Sequence, residues 1–160
     1  MRIKEVKLYQ FDELSPSSQD HAISHLSDIN VDSDFWFDCI IDEAKELGLN
    51  ITEWDLYHRS IKGSFTKSEE DVAKSIKKEH GESCETYHDA VGYLKELESI
   101  QSSKDDEPDT EAIDEEFLHS LLQDYLSLFN KEYEYQTSKE AIIETIKANE
   151  YEFTEEGDLE

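Results

Sequence analysis

Glycine and proline are scarce in this chain, five and two among 160 residues. Phosphate-cradling loops need glycine at fixed spacings, and no Gly-rich nucleotide fingerprint is present. A nucleophile elbow and a Cys-x-x-Cys pair are also missing, so hydrolase and thiol-redox chemistries lack their usual motifs. The two cysteines, Cys39 and Cys84, cannot build a disulfide framework, and a reducing cytosol is the expected compartment. Cys39 lies in an apolar run and is expected as a buried thiol. No segment approaches the ~18 apolar residues of a membrane span, and the opening MRIKEVKLYQF lacks an apolar stretch of signal-peptide length.

Positive charge is the largest shortage. Lys and Arg number 15 against 41 Asp and Glu, a net charge of −26. Direct binding to nucleic acid or to an anionic membrane needs the opposite sign. The excess is uneven along the chain: residues 1–80 hold 10 basic and 17 acidic side chains, whereas residues 81–160 hold 5 and 24.

What is present argues for a folded protein. Hydrophobic residues make up 36% and include 7 Phe, 8 Tyr and 2 Trp, whereas a disordered acidic chain is poor in aromatics. The apolar positions are also periodic. Residues 3–11 alternate as a strand does. Ser15-Pro16 caps a helix over 16–28, and a second helix over 33–47 stops at Gly48. Residues 49–57 and 60–65 read as paired strands, with Gly63 marking a bulge or close approach. Capping boxes at Ser68-Glu69-Glu70-Asp71, Thr86-Tyr87-His88-Asp89 and Thr137-Ser138-Lys139-Glu140 open three further helices. The longest helix covers about 112–134, on the spacing of Phe117, Leu118, Leu121, Leu122, Tyr125, Leu128 and Phe129. Residues 151–154 read as an edge strand able to pair between subunits. The expectation is an α+β fold: a small antiparallel sheet of three to four strands packed with five to six helices. One domain would cover 1–154, with an acidic loop or linker near 99–111 and an acidic tail at 155–160.

Histidine supplies two constellations. His21 and His25 stand at i, i+4 on a helix, the spacing by which two imidazoles share a metal. A third ligand is needed. Asp20 and Asp28 are near in sequence, and two exposed helix histidines are the commoner meaning of such a pair. His80, Cys84 and His88 recur every four residues, but Gly81 interrupts any helix that would align them. With no nucleophile, base and orienting group identifiable together, the reading is of a protein that is not an enzyme, with no catalytic residues, no cofactor and no metal.

The sharpest pattern is acidic. Asp34, Asp38, Asp42 and Glu46 stand at i, i+4, i+8 and i+12, opposite an apolar arc of Trp36, Phe37, Ile40, Ile41, Ala44 and Leu47. Such a stripe spaces its charges by about 6 Å, whereas duplex DNA carries one charge per about 1.7 Å of axis. Imitating a duplex would require further carboxylates: Asp105, Asp106, Glu107, Asp109, Glu111, Asp114, Glu115 and Glu116, and then Glu152, Glu155, Glu156 and Asp158. Each run taken alone also fits a solvated face. The total exceeds the magnitude of about 2–8 that solubility asks of a small domain.

Several phrases resemble a known family. They are Tyr9-Gln10-Phe11-Asp12-Glu13-Leu14-Ser15, Asp42-Glu43-Ala44-Lys45-Glu46-Leu47-Gly48 after Trp36, Gly63-Ser64-Phe65-Thr66, Phe117-Leu118-His119-Ser120-Leu121-Leu122, Glu132-Tyr133-Glu134-Tyr135, and Glu140-Ala141-Ile142-Ile143-Glu144-Thr145-Ile146 through Ala148-Asn149-Glu150-Tyr151-Glu152-Phe153-Thr154. The chain is similar over most of its length to small acidic proteins of tailed phages and prophages, often loosely labelled antitoxins of a toxin–antitoxin stability system. The resemblance implies a phage context and the bacterial host cytoplasm, and carries no functional residues. In that context the leading expectation is an acidic protein that mimics nucleic acid and inhibits a host defence system of restriction or CRISPR type. Its partner would be a basic, nucleic-acid-binding host protein, and the protein itself a monomer or homodimer. The alternatives are an antitoxin-like module that neutralises a partner toxin, and a small metal-binding enzyme.

Overall fold

The computed structural model describes residues 5–104 and 106–160, with Asp34 described in its backbone only. The chain is α+β, with six α-helices and four strands among the described residues. It divides into two compact units. One joins the two ends, 1–36 and 132–160, and the other holds 37–131.

A 3-10 turn, Asp34–Phe37, leads directly into helix α2, Asp38–Leu47, the first helix of the central unit. Helix α2 ends at Gly48 in the left-handed conformation, φ 101°, as the stop signal in the sequence requires. The hairpin β2 (Leu49–Asp55) and β3 (Ser60–Phe65) follows, then α3 (Glu69–Glu79) and α4 (Glu85–Gln101). Ser68 caps α3 by accepting from the Asp71 N–H. The core collects Leu47, Leu49, Val72, Ile76, Leu97, Phe117, Leu121, Tyr125 and Phe129. Trp54 stacks on Phe129 at 4.7 Å and Tyr93 on Phe117 at 4.5 Å.

Gly63 lies where the hairpin register shifts between Ile51 and Glu53. A Cβ there would sit 2.7 Å from the Asn50 carbonyl oxygen and 3.0 Å from Leu122 Cδ2. Both the bulge and the close approach read from the sequence are present. Gly63→Ala is expected to cost about 1–3 kcal/mol through overpacking, read as a lower urea midpoint with unchanged m-value.

In the unit built from the two ends, β1 (Tyr9–Gln10) pairs antiparallel with β4 (Glu152–Phe153), and α1 (Pro16–His25) packs with α6 (Lys139–Ala148). Ser15 caps α1 by accepting from the Ser18 N–H, with Pro16 at the first position. Phe11, Leu14, Ala22, Ile142, Ile146 and Phe153 form this unit's own core. The long helix α5, Glu111–Gln136, supplies 111–131 to the central unit and its last residues to this one.

Several expectations change. The strands form two separate two-stranded sheets rather than one of three to four. Residues 5–8 are not strand, and Val6 and Leu8 are exposed; residues 3 and 4 of that expected strand lie outside the described residues. The 33–47 helix begins as a 3-10 turn, so the α-helical register starts only at Asp38. Helix α4 starts at Glu85 after Cys84 and runs to Gln101, into the expected linker. Thr86 is therefore inside the helix, because its hydroxyl is engaged by His80 at 2.6 Å instead of capping. Both cysteines are exposed. Cys39 neighbours Asp38 on the solvent side of α2, while Ala44 and Leu47 take the buried side. Residues 155–160 fold back, with Leu159 bridging Phe153. Strand β4 thus has β1 on one flank and Leu159 on the other, and the open edge expected at 151–154 is occupied.

Candidate functional site: acidic faces and a polar cleft

Helix α2 turns Ala44 and Leu47 into the core, which leaves Asp38, Asp42 and Glu46 exposed along the opposite side. At four-residue intervals the three carboxylates span about 12 Å. Asp34 does not extend this line, because a 3-10 turn advances about 2.0 Å per residue with three residues per turn and breaks the register. Its side chain lies outside the described residues, as does all of Asp105.

The second acidic run leads into α5. Asp106, Glu107, Asp109, Glu111, Glu115 and Glu116 are exposed. Part of this run has a local cause: Asp109 accepts from the Glu111 N–H at 3.0 Å, and carboxylates near a helix N-terminus offset its positive end. Asp114 is different. It accepts from the Tyr93 hydroxyl at 2.6 Å and from Thr110 at 2.8 Å, so it is spent inside the fold. Burial, then the bond to Asp114, raises the Tyr93 phenol. In the other unit Glu152, Glu155 and Glu156 are exposed, and Asp158 meets His21.

Few surface carboxylates among the described residues are ion-paired, and those of the three runs share their lack of a lysine partner with other exposed acids such as Asp28, Glu82, Glu96 and Glu140. Among the described residues, lysine pairs with Glu53, Glu70, Glu79, Asp20 and Asp12. None of the twelve exposed carboxylates in the three runs has a basic partner within 4.0 Å among the described residues. The imbalance between chain halves also disappears in three dimensions. The unit joining the ends carries 5 basic and 17 acidic residues, the central unit 10 and 24, so they stand at −12 and −14.

A cleft of about 640 Å³ in the central unit gathers the polar groups that sequence reasoning missed. His80 ends α3, with Nε2 2.5 Å from Glu43 and Nδ1 2.6 Å from the Thr86 hydroxyl. A Glu43 carboxylate accepts from Nε2, and Nδ1 shares the second hydrogen bond with the Thr86 hydroxyl. A carboxylate, imidazole and hydroxyl in series can activate a nucleophile. Thr86 is only 4% exposed, which fits a staple joining α2, the end of α3 and α4. No local signal could have found it, since Glu43 and His80 are 37 residues apart.

Asp124 on α5 lines the same cleft. Its Oδ2 is buried and has no hydrogen-bond partner among the described residues. Burial, then the charge of Asp89, pushes its carboxyl up to about 7, and a proton shared with Asp89 contributes. Asp89 is raised too, chiefly by burial. A carboxyl held above its unfolded value near 3.9 favours folding most below that value, and the advantage is lost as pH rises toward about 7. Stability is expected to fall by roughly 1–2 kcal/mol more in the natural protein than in Asp124→Asn between pH 5 and pH 8, after allowance for partial exposure. Denaturant titrations at the two pH values check this.

Comparisons with protein-family models, curated proteins and solved structures find no match to the chain. Function is therefore read from its own chemistry. No helix among the described residues is long and apolar enough to cross a membrane.

Proposed function

We propose that this chain is a non-catalytic, acidic binding protein that occupies the basic nucleic-acid groove of a host defence enzyme of restriction or CRISPR type. The observation that carries this reading is the set of twelve exposed carboxylates without a basic partner among the described residues, in a protein of net charge −26. Like charges at i, i+4 cost roughly 0.2–0.5 kcal/mol per pair, so the α2 stripe opposes folding. A basic groove would turn that cost into attraction and into fast, steered association. The similarity to small acidic phage proteins supplies the host context. The partner-facing residues are Asp38, Asp42 and Glu46 on α2 and Asp106, Glu107, Asp109, Glu111, Glu115 and Glu116 before and on α5. Glu152, Glu155 and Glu156 form a separate face of the other unit.

Affinity capture from a bacterial lysate at low salt tests the proposal. Recovery of a basic, nucleic-acid-binding protein that high salt releases is the expected result. A lysate that yields no such protein at low salt contradicts it.

A further inference from the structure

His21 and His25 lack only a third ligand, and the fold supplies one from 137 positions away. Asp158 Oδ1 lies 2.9 Å from His21 Nε2, and the two imidazoles stand 4.2 Å apart between ring centres. One ligand atom from each of the three residues falls within 4.8 Å of the other two. Ligands about 2.1 Å from a shared ion lie at most about 4.2 Å from one another. In a tetrahedral shell the ligand atoms stand about 3.4 Å apart, so closure needs shifts of roughly an ångström, which rotations of these surface side chains supply.

The carboxylate is delivered by a built turn. The Thr154 N–H donates to the Asp158 carbonyl at 2.9 Å, and the Asp158 N–H donates to Thr154 Oγ1 at 3.2 Å. Ser18, on the same helix as the histidines, donates its hydroxyl to the Glu155 carbonyl at 2.7 Å. Gly157 presses so closely on α1 that a Cβ would fall 2.3 Å from the Ser18 carbonyl oxygen. The His21 and Asp158 side chains remain 41% and 56% exposed, so water could complete the coordination.

We propose that His21, His25 and Asp158 form a site for a borderline divalent ion of the zinc class, which ties the C-terminal turn to α1. Two imidazoles select such ions over magnesium and calcium, which prefer all-oxygen shells. The site does not depend on the acidic-mimic reading, because neither the histidines nor the metal takes part in it.

Calorimetric titration of the metal-free full chain with zinc chloride, in excess magnesium to occupy diffuse carboxylate sites, is the test. One zinc per chain is expected, with affinity reduced at least tenfold in His25→Ala and in Asp158→Asn, and unchanged in His58→Ala. Both exposed-residue variants should keep the natural far-UV spectrum, so that loss of binding is not loss of fold. Cobalt substitution should give a visible d–d spectrum that His25→Ala removes. Zinc binding no tighter than magnesium, or binding indifferent to both variants, would overturn the proposal.

Discussion

Replacing Asp38 and Asp42 by Asn and Glu46 by Gln is expected to weaken partner binding about a hundredfold while leaving the protein slightly more stable. The two effects have separate origins. Each exposed carboxylate facing a basic groove contributes on the order of 1 kcal/mol, and three together about 3 kcal/mol, where 1.4 kcal/mol is tenfold. Removing two i, i+4 repulsions on α2 returns roughly 0.4–1 kcal/mol to the fold. A variant that binds weakly yet unfolds later separates recognition from stability, since damage to the core would move both the same way. Surface plasmon resonance against the captured partner, with a denaturant titration alongside, reads both quantities. Binding unchanged by the triple substitution would remove α2 from the interface.

Gly157→Ala is expected to lower the stability of the unit joining the ends by roughly 2–4 kcal/mol, from overpacking and from strain at a left-handed position. Gly157 has φ 94°, and its missing side chain leaves room for the Ser18 carbonyl. Forcing the turn outward breaks the Ser18 hydroxyl bond to Glu155 and the bridge between Leu159 and Phe153. Calorimetry should place the loss in melting temperature at several degrees. Hydrogen exchange should localise it to Glu152–Phe153 and α1. A melting temperature within a degree of the natural protein's would mean that 155–160 is a loose tail after all.

Local signals in the sequence were legible where one element decides them. The caps at Ser15 and Ser68, the stop at Gly48 and the bulge at Gly63 match the structure, whereas Ser138, one residue after the expected Thr137, caps α6. Two six- and seven-residue strands with a short turn were also readable. What failed depended on distant partners. Thr86 has the spacing of a cap, but His80 claims its hydroxyl. The pairing of Tyr9–Gln10 with Glu152–Phe153 joins the chain's ends, which no local pattern encodes. The acidic candidates divide in the same way: charge and spacing identified the α2 stripe, whereas the inward turn of Asp114 needs Tyr93, 21 residues away. Asp158 was read as one more surface acid, because its meeting with His21 follows from the end-to-end pairing.

Competition with duplex DNA tests the central claim most directly. A labelled duplex bound to the captured partner is titrated with this protein at several salt concentrations. Full displacement of the duplex at about 50 mM salt is expected, with affinity falling steeply and linearly on a log–log plot as salt rises. A ternary complex in which DNA stays bound, or an affinity indifferent to salt, would contradict mimicry of nucleic acid by the acidic faces.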